Sequence, residues 1–479
     1  MTLITPQQGL VLLALFAAAM ICLVYFLTRK KLQTNEAFLV ADRNVSWLRG
    51  AFSIAVSWIW APAIFICSMQ AYTQGIAGAF WFIAPNILCF FVFTPLAIRL
   101  RRKMPDGYTL PQYILQRFGG DKKIHLWYLV IFFGYQLSAI VINSLAGGTL
   151  LHILTGINFH IATLAIAGVA LVYSLISGLE ASMLTDVLQM LLILLLGCVL
   201  VPWVIVSAGG WSAVSGGLAG VTGEFGDMFD PRIAYAFGIA TTIGLLTGPI
   251  GDQMFFQRGF AVKQKNIVKT FVTGGLLFGL VPITLCLLGF VAANPAFSVA
   301  VGDPQMVGPL TIGHFLPKSA LMLFVFMAFA GLSSTLDSAY CAISALGTID
   351  IYKRYFKKDA SDRKLLSVSR TFMLSMAIVG TAIALLQPEL LWIFLASGTL
   401  AAAGFFPTVF SLYSEKVTKK AIFWALGLSI VLGFPLSVYA NTVENTNLIV
   451  TASLLSIGIG LVVCGGNVLK QRVLTKKVA

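Results

Sequence analysis

The chain has 479 residues, 58% of them hydrophobic and only 10% charged, against roughly 25% charged residues in a soluble domain. That much apolar surface cannot be hidden in a water-soluble core, and the mean hydropathy of +0.90 points to lipid surroundings. A net charge of +14 raises nucleic acid as a partner, but the placement of the basic residues argues for a membrane topology signal instead.

Crossing about 30 Å of hydrocarbon takes roughly 20 apolar residues at about 1.5 Å each. Thirteen such stretches are expected, at 8–28, 46–74, 77–98, 124–150, 157–178, 182–205, 233–256, 267–293, 318–349, 367–387, 389–413, 421–440 and 446–467. The apolar-polar alternation of barrel strands is absent, so the fold class is an all-α membrane protein. The first span has no Lys or Arg before it and no small-residue cleavage site after it, and is expected to be a retained helix rather than a signal peptide.

Lys and Arg cluster in alternate loops, beginning with Arg29, Lys30, Lys31, Arg43 and Arg49 after the first span. Of the 32 basic residues, only Arg232 and Lys318 fall on the other side. Basic loops are retained in the cytoplasm, which predicts a multi-pass cell (inner) membrane protein with its N-terminus outside and its C-terminus cytoplasmic. The basic excess as a whole reads as a topology signal, with contacts to anionic lipid head groups as a secondary role, and charge runs such as Lys353, Arg354, Lys357 and Lys358 read as anchors, not sites.

Two spans carry interruptions at matching places. In SIAVSWIWAPAIFICS, Pro62 lies 16 residues after Ser46, and in TTIGLLTGPIGDQMFFQR, Gly248, Pro249 and Gly251 lie 16 to 19 residues after Arg232. Proline removes a helical donor and clashes with the preceding turn, so both helices are expected to unwind near mid-membrane. The second and seventh spans stand five apart in order and therefore run in opposite senses. Paired interruptions in an inverted repeat point to a transporter binding site.

Further candidates lie on the other spans. In the ninth, GLSSTLDSAY offers the neutral hard donors Ser334 and Thr335. Back-bonding to the preceding turn is the ordinary role of a helical hydroxyl, but three in a row, Ser333 to Thr335, span more than half the helix and cannot all face lipid. Asp337 shares the face of Ser334, and an ionisable group in a span is by default a functional hypothesis. Asp186 is expected in the first turn of the sixth span, complementing the helix dipole. Asp252 and Arg258 are expected near the cytoplasmic end of the seventh, where a structural ion pair or gate and substrate contact are equal alternatives. Seven scattered cysteines and four dispersed histidines show no metal-ligand spacing, and no nucleophile faces a base as an enzyme requires.

At these residues the chain resembles a known family. SGLEASMLTDVLQ is similar to the GGLxAVxxTDxxQ signature of the sodium/solute symporter family, DQMFFQRGFAVK to its (D/N)QxxxQRxxAxK segment, and SSTLDSAYCAISALGTIDIY to its hydroxyl-pair helix. The resemblance implies a five-plus-five inverted-repeat, LeuT-like core. Residues 1–45 would hold an extra N-terminal helix and loop, 46–205 the first repeat, 206–232 an extracellular loop, 233–413 the second repeat, and 414–479 two C-terminal helices and a basic tail. It also implies a sodium site of backbone carbonyls of Val56, Ile59 and Gly331 and hydroxyls of Ser334 and Thr335, with Asp186 nearby.

For the solute, the unwound segments offer Trp58, Ala63, Gln70, Thr247 and Gly248, with Gln136 from the fourth span. Trp58 stands where proline carriers of the family have an aspartate. A small neutral or zwitterionic solute is favoured, and the urea, amino-acid and carboxylate branches stay open. The expected activity is sodium-coupled symport by alternating access; proton coupling through Asp337 and a passive facilitator or channel for a solute such as urea are the alternatives. The expected partners are sodium as coupling ion, a small-molecule solute and membrane lipids, with no other cofactor and no nucleic acid; the chain is taken as a monomer, its oligomeric state being otherwise open. The absence of a kinase or receiver segment before Ala479 speaks against a sensor.

Overall fold

The computed structural model describes residues 3–29 and 34–478; Lys30 and Lys31 of the first basic loop lie outside them. The described chain is helical throughout apart from one isolated bridge between Val45 and Val262. The first half comprises α1 (Pro6–Thr28), α2 (Asn35–Val40), α3 (Trp47–Ser57), α4 (Ala61–Lys103), α5 (Leu110–Arg117), α6 (Lys122–Thr155) and α7 (Phe159–Ser207). Short α8 (Trp211–Ser215) and α9 (Pro231–Ile233) lead to α10 (Ile239–Gly251), α11 (Gln253–Ala261), α12 (Ile267–Ala293), α13 (Val307–Phe315) and α14 (Lys318–Ala345). The chain ends with α15 (Asp362–Ala384), α16 (Leu390–Tyr413), α17 (Lys419–Leu428), α18 (Phe434–Thr442) and α19 (Thr446–Val478).

The described residues contain twelve helical stretches long and apolar enough to cross a membrane, with α4 counted as one and α7 as two. Helix α4 has 43 residues, about 65 Å at 1.5 Å each and twice a bilayer core, and its helical geometry fails at Gln74 and Gly75. It is therefore two crossings, the first completing the span that α3 begins, and this recovers the thirteen expected. Helix α7 likewise turns back at Gly178, φ +61° and ψ −166°.

Interior polar groups, not a water-excluding driving force, organise the bundle, because lipid is as apolar as the side chains it meets. Asp186, Asp252, Arg258 and Asp337 are all fully buried. Helix α12 packs along α4, α14 along α7 and α10 along α16. The last pair crosses at Gly244 and Gly398, where a side chain on Gly244 would begin 3.2 Å from the other Cα; small residues permit such backbone contact.

Both spans predicted to be interrupted are interrupted. The first breaks between Ser57 and Ala61, with Pro62 in the first turn of α4. The second corrects the expectation: α10 continues through Pro249, and the break falls at Asp252, φ −98° and ψ 107°. Proline at that depth costs one backbone bond, whereas Asp252 offers the next segment a side-chain cap, accepting from Met254 N, and so defines where the helix restarts.

Gly75 provides a test of the α4 reversal. A Cβ there would lie 2.6 Å from the carbonyl oxygens of Leu218 and Phe225, at φ +56°. Gly75→Ala is expected to destabilise the fold by about 1–3 kcal/mol, read as a lowered thermal midpoint of the detergent-solubilised protein; an unchanged midpoint would contradict the strained turn.

Candidate functional site

The two breaks meet across an aromatic box. The Trp58 ring lies 4.9 Å from Phe255 and 5.7 Å from Trp60, and Trp60 lies 5.3 Å from Tyr135. The Trp58 indole is held by Nε1 donating to Asn86 Oδ1 at 3.0 Å. Gly248 approaches this wall so closely that a Cβ would begin 2.7 Å from the Tyr135 hydroxyl and 3.0 Å from the Trp58 ring. Asn143 Oδ1 accepts the Ala61 amide at 2.9 Å, satisfying the first donor of the helix that restarts there.

Asp252 is the acid of this box. Its Oδ1 accepts from Gln136 Nε2 at 2.8 Å and from Met254 N at 2.7 Å. Its Oδ2 and the Gln136 Oε1 are buried and make no hydrogen bond within the described chain. Two buried acceptors without donors are costly unless something outside the chain supplies N–H or O–H groups.

A second cluster lies beside the first break. Thr335 Oγ1 donates to the Ile59 carbonyl at 3.1 Å, and Ser334 Oγ donates to Asp186 Oδ1 at 2.6 Å. Gly331 faces Ile59, and the Val56 carbonyl, in the last turn of α3, accepts the Ile59 amide at 3.0 Å. Asp186 Oδ2 accepts from Ser53 at 2.6 Å and pairs with Arg258 at 3.1 Å. Arg258 also donates to Ser53 at 3.1 Å and to Ser338 at 2.7 Å, and Ser338 shares a 2.9 Å bond with Ser57. The halves of the broken spans on the basic side, α3 and α11, are thus laced to α7 and α14 by buried groups.

Of the residues expected around the ion, Val56, Ile59, Gly331, Ser334, Thr335 and Asp186 are brought together. Asp186 corrects the first-turn expectation: its helix half starts at Gly178, so it lies two turns in and is fully buried. Arg258 pairs with Asp186 rather than Asp252, and Asp252 sits at the break rather than near the end of the span. Asp337 turns to the other half of α7, where its Oδ1 accepts from Ser174 at 2.6 Å. Of the solute candidates, Trp58, Ala63, Gln136 and Gly248 adjoin the first break or the box. Thr247 bonds its own helix at Ile243 O, 2.7 Å away, the ordinary role of a helical hydroxyl. Gln70 lies nine residues beyond Ala61, about 14 Å along the helix, near the Gly75 reversal and away from the box. Trp60, Tyr135, Asn86, Asn143 and Ser53 were missed; isolated polar residues within long apolar runs were the available signal for Asn86 and Asn143.

Comparison with known proteins gives a consistent picture. The model of the Sodium:solute symporter family matches residues 38–429. The Urea-proton symporter DUR3 of Oryza sativa subsp. japonica is 25% identical over 80% of this chain and 58% of its own length. The Sodium/glucose cotransporter of Vibrio parahaemolyticus is 27% identical over 78% of this chain and 73% of its own. This chain thus spans less than two thirds of the rice relative's length. Among solved structures, a Na+-coupled sialic acid symporter in a substrate-bound outward-open state superposes with a TM-score of 0.79 at 18% identity, covering 95% of this chain and 96% of that one.

The buried ion pair generates a prediction. Arg258→Met, which strands Asp186, is expected to destabilise the protein by about 3–5 kcal/mol, and adding Asp186→Leu to recover most of the loss. A double-mutant cycle on thermal stability measures both, and simple additivity would argue against the pairing.

Proposed function

This chain belongs to the Sodium:solute symporter family, and from that premise we propose that it is a cation-coupled symporter for a small planar solute rich in N–H donors, urea being the simplest. The observation that carries the solute class is the pair of buried, unpartnered acceptors, Asp252 Oδ2 and Gln136 Oε1, beside the flat faces of Trp58, Trp60 and Tyr135. An amide-type solute satisfies both oxygens with N–H groups, stacks on the rings, and presents its carbonyl to the Tyr135 hydroxyl. A carboxylate solute would meet Asp252 with like charge. The rice relative's description as a urea-proton symporter supports the same class.

The coupling cation in this reading is sodium, bound where Thr335 now donates to Ile59. The ligand set is Val56, Ile59 and Gly331 carbonyls with Ser334 and Thr335 hydroxyls, neutral hard oxygens suited to a weakly held hard cation. Ser334 keeps donating to Asp186 while offering lone pairs to the ion, so sodium entering from outside would reinforce the Asp186–Arg258 lacing and hold the basic side shut until solute arrives. The basic loops support a cytoplasmic assignment for that side. One sodium moving down about 100 mV releases about 2.3 kcal/mol, enough for accumulation of tens-fold. A second reading, proton coupling, is favoured by Asp337, a fully buried acid whose Oδ2 has no hydrogen-bond partner in the described chain.

Proteoliposome uptake of labelled urea tests both levels. Sodium in place of potassium at fixed pH is expected to drive concentrative uptake, and Ser334→Ala with Thr335→Val to abolish the sodium stimulation. Uptake indifferent to sodium but driven by an inward proton gradient would select the second reading. Asp252→Asn, which removes the charged acceptor, is expected to raise the KM for urea by about 10- to 100-fold, on the order of 1.5–3 kcal/mol; an unchanged KM would remove Asp252 from the solute site.

A further inference from the structure

On the basic side, the last turns of the ninth span depart from α-helical geometry. From Leu346 to Phe356 the helix continues as a π-helix, an uncommon geometry found at functional sites. It brings Lys353 and Arg354 against α5, where with Lys358 they line a cleft together with Tyr108, Gln112 and Gln116. Arg354 lies over the Gly119–Gly120 turn, its guanidinium 3.2 Å from where a Gly120 side chain would begin.

The charge of this cleft is uncompensated. Among the described residues, none of its three cations forms an ion pair. The one acid in its wall, Asp350, has both oxygens engaged, Oδ2 by Thr109 at 2.7 Å and Oδ1 by His125 Nε2 at 3.1 Å. His125 reaches Tyr355 through its other ring nitrogen at 2.8 Å, which fixes the π-helical end against α6. The wall is therefore a tethered frame carrying three free cations and the amides of two glutamines.

We propose that this cleft binds the phosphate of an anionic phospholipid headgroup from the leaflet on the basic side. Arg354 supplies a planar donor fork and the lysines point charges, the combination that recognises phosphate oxygens. A lipid is favoured over a soluble anion because Phe356, three residues from Lys353, is 76% exposed and stacks on Tyr352 at 6.2 Å. An aromatic ring presented beside basic residues at a span end is how chains engage the interfacial layer. The bound headgroup would bridge α5 to the end of the helix that carries Ser334 and Thr335.

The test uses the full chain in phosphatidylcholine micelles, titrated with phosphatidylglycerol and followed by thermal midpoint. A saturable rise is expected with phosphatidylglycerol and none with added phosphatidylcholine. Lys353→Gln, Arg354→Gln and Lys358→Gln together are expected to weaken the apparent affinity roughly 100-fold, while Lys419→Gln with Lys420→Gln, in another basic loop, leaves it unchanged. Should the triple variant fold poorly, Gln116→Glu, an exposed position, is expected to weaken binding by repulsion. An equal effect of phosphatidylcholine, equal losses in both loop variants, no effect of the cleft variants, or an identical rise with inorganic phosphate alone would each overturn the lipid assignment.

Discussion

In hydrocarbon an interrupted helix must find partners for every backbone group it frees, and the rest of this molecule is arranged around that requirement. At the first break the Ala61 amide is taken by Asn143 and the Ile59 carbonyl by Thr335. At the second, Asp252 takes the Met254 amide and is itself held by Gln136. Asn143 and Gln136 both come from α6 and Thr335 from α14, so the breaks are completed only in the assembled bundle. The polar atoms left over when the breaks are satisfied, on Asp252 and Gln136, become the natural contacts for a solute.

At the breaks themselves the lining is aromatic, from Trp58, Trp60, Tyr135 and Phe255. Toward the basic side, Arg258, Asp186, Ser53, Ser57, Ser334 and Ser338 form one buried network that joins both broken spans to α7 and α14. Opening the basic side therefore means separating a buried ion pair, which is costly unless the partners exchange together. Ser334 belongs both to this network and to the hydroxyl pair beside Ile59, so occupancy of one is linked by a single side chain to the strength of the other.

Glycine has two distinct tasks here. Gly75 and Gly178 adopt backbone conformations denied to other residues and turn long helices back on themselves. Gly248 is helical, and its lack of a side chain instead admits the Trp58 ring and the Tyr135 hydroxyl to the wall of the box. Added bulk there would push the aromatic wall away from Asp252.

The sequence by itself determined the class, the thirteen crossings, the gathering of basic residues in alternate loops and the existence of two interrupted spans, since these follow from run length, charge placement and proline chemistry, all local properties. It also singled out Ser334, Thr335 and Asp186, because hydroxyls and acids in apolar runs are conspicuous whatever their neighbours. Only the tertiary structure decided that the second break falls at Asp252 rather than Pro249, that Arg258 pairs with Asp186, that Thr247 satisfies itself and that Gln70 stands about 14 Å from the break. Those outcomes depend on how each helix is rotated and on which distant side chain reaches a freed backbone group, and neither is written in the spacing of residues along one helix.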